Sequence, residues 1–199
     1  MKLIALYLIK HLGYWKITII GLAVFILAQI FLASFVIPNI KLRQPLAIEN
    51  GLLIMVDGQP LATPIEEYSV FNLYKPNIVG YVYLLYAIDF LLPLSLAIFF
   101  ASLIGMMIKN LRKIPNLIIL LVFLPVFFDY LENSIALFLI SQNPTNIYLG
   151  LAQFEGIITA LKLMSSGLVI ITTIFLFLLI LSKKLKRLII PHHPTRRVG

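Results

Sequence analysis

The chain has 199 residues, of which 61% are hydrophobic and only 12% are charged, and its mean hydropathy is +1.01. A soluble domain carries about 25% charged residues, so this composition excludes one and predicts an integral membrane protein. The net charge of +8 does not indicate nucleic-acid binding, because the basic residues flank apolar stretches and form no basic domain. The chain has no cysteine, which excludes disulfides and thiolate metal sites.

The N-terminal part of the chain contains the first predicted span. Residues 1–12 are apolar with three basic side chains; they fit a helix lying in the membrane interface or, as we prefer, a helical lead-in to the span. The span is predicted at about 14–37, ending at Pro38, and it is too long for a cleaved signal peptide. Gly21 and Ala28 have the spacing of a close helix contact.

Residues 39–77 form the only long polar segment and are predicted to be an extracytoplasmic loop. The dipeptides Asn50-Gly51 and Asp57-Gly58 are strong signals for two-residue hairpins. The sequence therefore predicts a small three-stranded antiparallel β meander with strands at Pro45–Glu49, Leu52–Val56 and Gln59–Thr63. A sheet of this size is not stable alone, so it should be docked on the rest of the protein.

Three further apolar stretches predict spans at about 79–108, 117–140 and 151–181, followed by a basic tail at 183–199. The predicted fold class is an all-α membrane protein: a four-transmembrane-helix bundle with the β meander in its first outer loop. The whole chain, 1–199, is predicted to form a single integral membrane domain.

The third predicted span contains polar residues that are costly in lipid. Asp129, Glu132 and Asn133 share one helical face with Pro125, by the i, i+3, i+4 rule. Each ionised carboxylate at mid-bilayer costs about 2.5–3.5 kcal/mol on insertion scales. Such residues usually face the bundle interior and find partners there, so this face is the first candidate for a functional site.

The second and fourth spans also carry polar faces. Tyr86, Asp89 and Pro93 share a face of the second span, and Pro93 leaves the Asp89 carbonyl without its usual helical donor. The fourth span carries a polar stripe with spacings of four, three and four residues, formed by Glu155, Thr159, Lys162 and Ser166.

The depth of the ionisable residues predicts that they meet. At about 1.5 Å per residue, Asp89, Asp129, Glu132 and Lys162 all lie near the midplane of a bilayer core roughly 30 Å thick. Lys162 is therefore predicted to be the counter-ion of one or more of the three carboxylates. Three carboxylates and one ammonium sum to −2, so at least one carboxyl group is expected to be protonated at neutral pH.

The basic residues predict the orientation of the chain in the membrane. With both termini cytoplasmic, the outer side holds only three basic residues, Lys41, Arg43 and Lys75. The sequence therefore predicts a plasma-membrane or inner-membrane protein with cytoplasmic N- and C-termini. Membrane lipids are the expected partners, together with a second copy of the chain or another membrane protein, and no nucleic acid.

Three classes of function fit these features. The preferred one is binding, and proton-coupled translocation, of a polar or lipid-headed substrate at the buried carboxylate/lysine site. A membrane-embedded enzyme acting on a lipid or isoprenoid is the second, and a non-catalytic subunit whose outer sheet docks a partner is the third. Asp129 and Glu132 are the candidate acid/base or proton-relay residues, without a metal or cofactor. The candidate substrate-binding residues are Asp89, Asn133, Lys162, Tyr86, Glu155 and Thr159.

Overall fold

A computed structural model of the chain describes residues 1–44, 48–49, 52–53, 76–111, 114–141 and 149–189. These residues are almost entirely helical. Four helices are long and apolar enough to cross a membrane, and they are called the first to fourth spans: Trp15–Arg43, Val79–Asn110, Asn116–Ser141 and Gln153–Leu185. The prediction of four helices long and apolar enough to span a membrane is confirmed.

The helices and strands follow the chain in a simple order. In sequence they are α1 (Lys2–Leu12), α2 (Trp15–Phe31), a π-helical turn (Leu32–Val36), α3 (Ile37–Arg43), β1 (Ile48–Glu49), β2 (Leu52–Leu53), α4 (Pro76–Asp89), α5 (Leu91–Asn110), a 3₁₀-helix (Asn116–Val122), α6 (Phe123–Ser141) and α7 (Leu149–Ile189). Each of the first three spans therefore contains one irregularity, whereas the fourth is a single α-helix.

The sequence predicts that the first span ends at Pro38. In the structure the span continues to Arg43. Proline lacks the N–H that would bond the carbonyl four residues earlier, and its ring crowds that carbonyl. A π-helical turn, Leu32–Val36, precedes Pro38 in the helix. It is wider than an α-helical turn, because the Ile37 N–H bonds to the Leu32 carbonyl five residues earlier. This local rearrangement lets the helix pass through the proline.

The second and third spans are irregular near their own prolines. The second span is interrupted at Phe90, three residues before Pro93, which matches the predicted loss of a donor to the Asp89 carbonyl. The third span begins as a 3₁₀-helix of seven residues and becomes α-helical at Phe123. Pro125 therefore lies in the first turn of an α-helix, where a missing N–H costs nothing.

Helix α1 is separate from the first span, which differs from the preferred lead-in prediction. Gly13 ends α1, and Tyr14 has an extended backbone before α2 starts. Ala5 and Ile9 are buried on the ends of the second and third spans, among residues that include Ile108 and Ile119. A helix that continued directly into α2 could not make these contacts.

The predicted three-stranded β meander is wrong. The described residues contain a single pair of two-residue strands, in which Ile48 faces Leu53 and Glu49 faces Leu52. The fold is otherwise helical, and the third predicted strand, Gln59–Thr63, lies outside the described residues. Hairpin dipeptides specify a turn, but a small sheet also needs a packed apolar face to persist.

Two pairs of spans make the main contacts of the bundle. The first span packs along the second, and the third along the fourth, while the second also contacts the fourth. Within the described residues the first and fourth spans form no comparable interface with each other. This arrangement leaves space between them, and the polar residues predicted from the sequence lie beside that space.

Candidate functional site

A cavity of about 310 Å³ lies inside the bundle, with walls from all four spans. Its volume falls at the lower end of the roughly 300–1,000 Å³ found for small-molecule sites. The polar residues in its wall are Gln29, Asp89, Asp129, Lys162 and Ser166. The rest of the wall is apolar and includes Leu92, Leu96, Phe100, Val122, Val126 and Val169.

Lys162 holds the third and fourth spans together through two carboxylates. Its ammonium nitrogen lies 3.2 Å from Asp129 Oδ1 and also forms an ion pair with Glu132. Glu132 is fully buried, whereas Lys162 and Asp129 keep a small exposed fraction on the cavity side. The predicted role of Lys162 as counter-ion is confirmed for these two carboxylates, and the loss of either partner would leave a buried charge without its counter-ion.

Asn133 joins the second span to the same network. Its Nδ2 donates to Asp89 Oδ2 at 2.8 Å and to Asp129 Oδ2 at 3.1 Å. The two aspartates come from different spans and would otherwise repel each other. A fully buried amide with two donor hydrogens is suited to hold them at this separation.

Thr159 extends the network along the fourth span. Its hydroxyl donates to Glu132 and lies 3.2 Å from the Glu155 carbonyl one turn away. Thr159, Glu155 and Tyr86 are all fully buried, as their predicted inward-facing positions require. Of the eight predicted site residues, three line the cavity: Asp89, Asp129 and Lys162. The other five, which include Tyr86 and Glu155, are not part of its wall.

The irregular parts of the spans lie at the cavity. Pro93 and Pro125 both line it, next to the interruption at Phe90 and the change from 3₁₀- to α-helix at Phe123. Pro93 removes a helical hydrogen bond and its ring crowds the preceding turn, whereas Pro125 lies in the first turn of α6 and removes none. The helix irregularities at Phe90 and Phe123 therefore lie where space remains beside Asp89 and Asp129.

The cavity is polar at one end and apolar at the other. From the charged residues it extends toward Phe25 in the first span, Phe100 in the second, Val122 in the third and Ile170 in the fourth. All four lie nearer the span ends at Trp15, Asn110, Asn116 and Leu185 than the polar wall residues of the same spans do. This is the side predicted to be cytoplasmic, so the apolar part points from mid-membrane toward that surface.

The sequence prediction missed Gln29 as a site residue. It is an exposed residue of the first span and lines the cavity opposite the fourth span. Its depth, similar to that of Asp89, is the signal that could have placed it in the site.

The fold and the cavity define a bundle of four helices long and apolar enough to span a membrane, with ion pairs beside a cavity. Comparison with known protein families, characterised proteins and solved structures gives no match. Among the described residues, no group of three or more His, Cys, Asp or Glu side chains could hold a metal ion.

Proposed function

We propose that this protein binds, and translocates with proton coupling, a polar-headed or lipid-headed substrate in the cavity between its four spans. The observation that carries the proposal is the division of that cavity into a charged end and an apolar end. Such a wall matches a molecule with a polar head and an apolar body. A purely structural ion network has no need for an adjoining cavity.

Proton coupling is supported by the charge balance of the network. Asp89, Asp129, Glu132 and Lys162 sum to −2 when all are ionised, and two of the carboxylates share the single ammonium. Carboxylates this close in a low-dielectric interior do not all ionise. A proton held here balances part of the charge, and substrate binding can displace it.

Catalysis on a lipid or isoprenoid, with Asp129 and Glu132 as acid and base, has weaker support. Glu132 is fully buried and does not line the cavity, and its oxygens contact Lys162 and Thr159. An acid or base must reach the proton that it transfers. Asp129 alone meets this condition, so the geometry supports binding better than catalysis.

The binding part of the proposal is tested by blocking the cavity. Leu96→Trp places an indole ring in the cavity, whereas Ile171→Trp places the same ring at an exposed position outside the cavity. Native mass spectrometry of protein released from membranes should show a bound amphipathic molecule in the wild type and Ile171→Trp, and its loss in Leu96→Trp. Equal occupancy of all three proteins would contradict binding in this cavity.

The proton is tested by infrared spectroscopy of the purified protein. We expect a band from a protonated carboxyl group near neutral pH, weakened in Asp129→Asn or Glu132→Gln. A spectrum without this band would remove the basis for proton coupling.

We also propose that the protein lies in a plasma or inner membrane with both termini cytoplasmic, because the Lys/Arg bias favours that orientation. The natural lack of cysteine makes single-cysteine labelling clean. An impermeant thiol reagent should label Gln59→Cys and Gln142→Cys in intact cells and leave Asn110→Cys unlabelled. Labelling of Asn110→Cys alone would show that the protein has the opposite orientation.

A further inference from the structure

We propose that the cavity takes an amphipathic cation, a molecule with one positive head and an apolar tail, which enters sideways from the bilayer between the first and fourth spans. This inference rests on the proposed function and names the class of substrate and its path. Four observations carry it: the charge of the cavity wall, the contacts of Lys162, the apolar end of the cavity and the exposure of its rim.

The charge of the wall favours a cationic head. The cavity is lined by two carboxylates, Asp89 and Asp129, and by one ammonium, that of Lys162, which also pairs with the Glu132 carboxylate outside the wall. Asp89 accepts a hydrogen bond from the neutral Asn133 amide. Within the described part of the chain, Asp89 forms no ion pair. A ligand cation beside Asp89 supplies the charge that the wall lacks.

The contacts of Lys162 disfavour an anionic head. Its ammonium forms ion pairs with both Asp129 and Glu132. A phosphate or carboxylate ligand near Lys162 would compete with these two carboxylates and would face them at short range. Like charges in a low-dielectric site repel strongly, so an anion gains little from this lysine.

The apolar end of the cavity fits a hydrocarbon tail. From Asp89 to Phe100 the cavity follows the second span for eleven residues, a rise of about 16 Å at 1.5 Å per residue. Beyond Ser166 the wall of the fourth span is apolar at Val169 and Ile170. A head without a tail leaves this part of the wall uncovered, so a small inorganic or methylated cation should bind more weakly.

The exposure of the rim indicates entry from the side. On the second and third spans, Leu92, Ala97 and Val122 line the cavity and are buried. On the fourth span Val169 is buried, but Leu163 is 51% and Ile170 is 47% exposed, and Gln29 on the first span is also exposed. The cavity is therefore deep against two spans and open between the other two, which form no comparable interface.

The test measures equilibrium binding to wild-type protein in nanodiscs of zwitterionic lipid. The probe is radiolabelled dodecyltrimethylammonium, and nanodiscs without protein define its nonspecific partitioning into lipid. Dodecyl phosphate, dodecanol and tetramethylammonium are the competitors, since they change the head charge or remove the tail. We expect each of them to compete at least tenfold more weakly than unlabelled probe, and Asp89→Glu to retain binding.

The side entrance is tested by a cation with two tails. Didodecyldimethylammonium can place one tail in the cavity only if the other stays in the bilayer, so it should displace the probe with an affinity within a few-fold of the single-tailed cation. A cavity closed to lipid would exclude it. Failure of the two-tailed cation to compete would overturn the lateral path.

The outcomes separate this inference from the proposed function. Equal or stronger competition by dodecyl phosphate or dodecanol overturns the cationic class but leaves substrate binding in the cavity. The probe could show no specific binding while native mass spectrometry still finds an occupant that Leu96→Trp removes. In that case only the cationic class of substrate is wrong, and binding in the cavity stands. If neither experiment finds an occupant, both proposals fail. The competition series uses wild-type protein, so it does not depend on the folding of any variant.

Discussion

The first and second spans are held together differently from the third and fourth spans. Gly21 of the first span lies so close to the second that a Cβ built on it would be 2.9 Å from the Phe99 nitrogen and 3.0 Å from the Ser95 carbonyl oxygen. The third and fourth spans meet through long polar side chains, with Lys162 between Asp129 and Glu132. One interface depends on close backbone approach and the other on ion pairs.

This difference follows from lipid as a solvent. Helices in a bilayer gain little from the hydrophobic effect, so they associate through van der Waals packing and polar contacts. Close packing through Gly21 leaves no space between helices. Long side chains such as Lys162 connect helices across a gap, and in this protein the cavity adjoins that connection. The polar interface is therefore the one that can bind a ligand.

The strongest way to break the polar interface is Lys162→Ala. Removing one member of a buried ion pair leaves its partner charged and unpaired, which costs about 3–5 kcal/mol. We expect this loss in the free energy of unfolding, measured by titration with sodium dodecyl sulfate in mixed micelles. Lys16→Ala is the control, because Lys16 is exposed, and it should change nothing measurable.

Double-mutant cycles identify which carboxylate carries the coupling. Lys162→Ala combined with Asp129→Asn or Glu132→Gln should be less destabilised than the sum of the single changes. Asp89→Asn should couple to Lys162 more weakly, since Asp89 contacts Asn133 instead. Additivity in all three cycles would mean that Lys162 does not stabilise the bundle through these groups.

Asn133→Ala is expected to have the next largest effect. It removes one amide that donates to two aspartates, and hydrogen bonds to charged groups contribute about 1.5–3 kcal/mol. The unfolding free energy should fall by this amount, and adding Asp89→Asn should restore part of it by removing a charge. Ser134→Ala is a suitable control, because Ser134 is exposed and bonds only the Tyr130 carbonyl among the described contacts.

Gly21→Ala tests the close interface. The new methyl group would meet backbone atoms of the second span, which cannot rotate away, and overpacking of this kind typically costs about 1–3 kcal/mol. Gly167→Ala is matched to it, since no atom lies within 4 Å of the Cβ position at Gly167. The same unfolding titration should show a loss for Gly21→Ala alone, and equal effects would place the close contact elsewhere.

The ionic network could be predicted from the sequence because it depends on local geometry. Helical spacing places Asp129, Glu132 and Asn133 on one face, and depth in the bilayer brings Asp89 and Lys162 to the same level. Lipid makes each of these groups costly to expose, so they had to meet. The close helix contact at Gly21 could also be predicted from local geometry, because the spacing of Gly21 and Ala28 permits it.

The remaining features depend on how the helices pack against one another. The continuation of the helix beyond Pro38 requires a π-helical turn that no local pattern marks. The position of α1 depends on the ends of two spans that are distant in sequence. The predicted meander followed hairpin dipeptides that specify turns and not a packed sheet. Gln29 belongs to the cavity only because the first and fourth spans stay apart.

Thr18→Val should have the smallest effect. Its hydroxyl lies 2.6 Å from that of Ser102, the one hydrogen bond between side chains of the first and second spans within the described residues. Ser102 also donates to the Tyr14 carbonyl at 2.8 Å, so it keeps a partner when Thr18 is changed. Hydrogen bonds between membrane helices average about 0.6 kcal/mol. Thr173→Val is the control, because the Thr173 hydroxyl bonds the Val169 carbonyl of its own helix. An effect of Thr18→Val as large as that of Gly21→Ala would show that the first interface also depends on polar contacts, and the contrast between the two interfaces would fail.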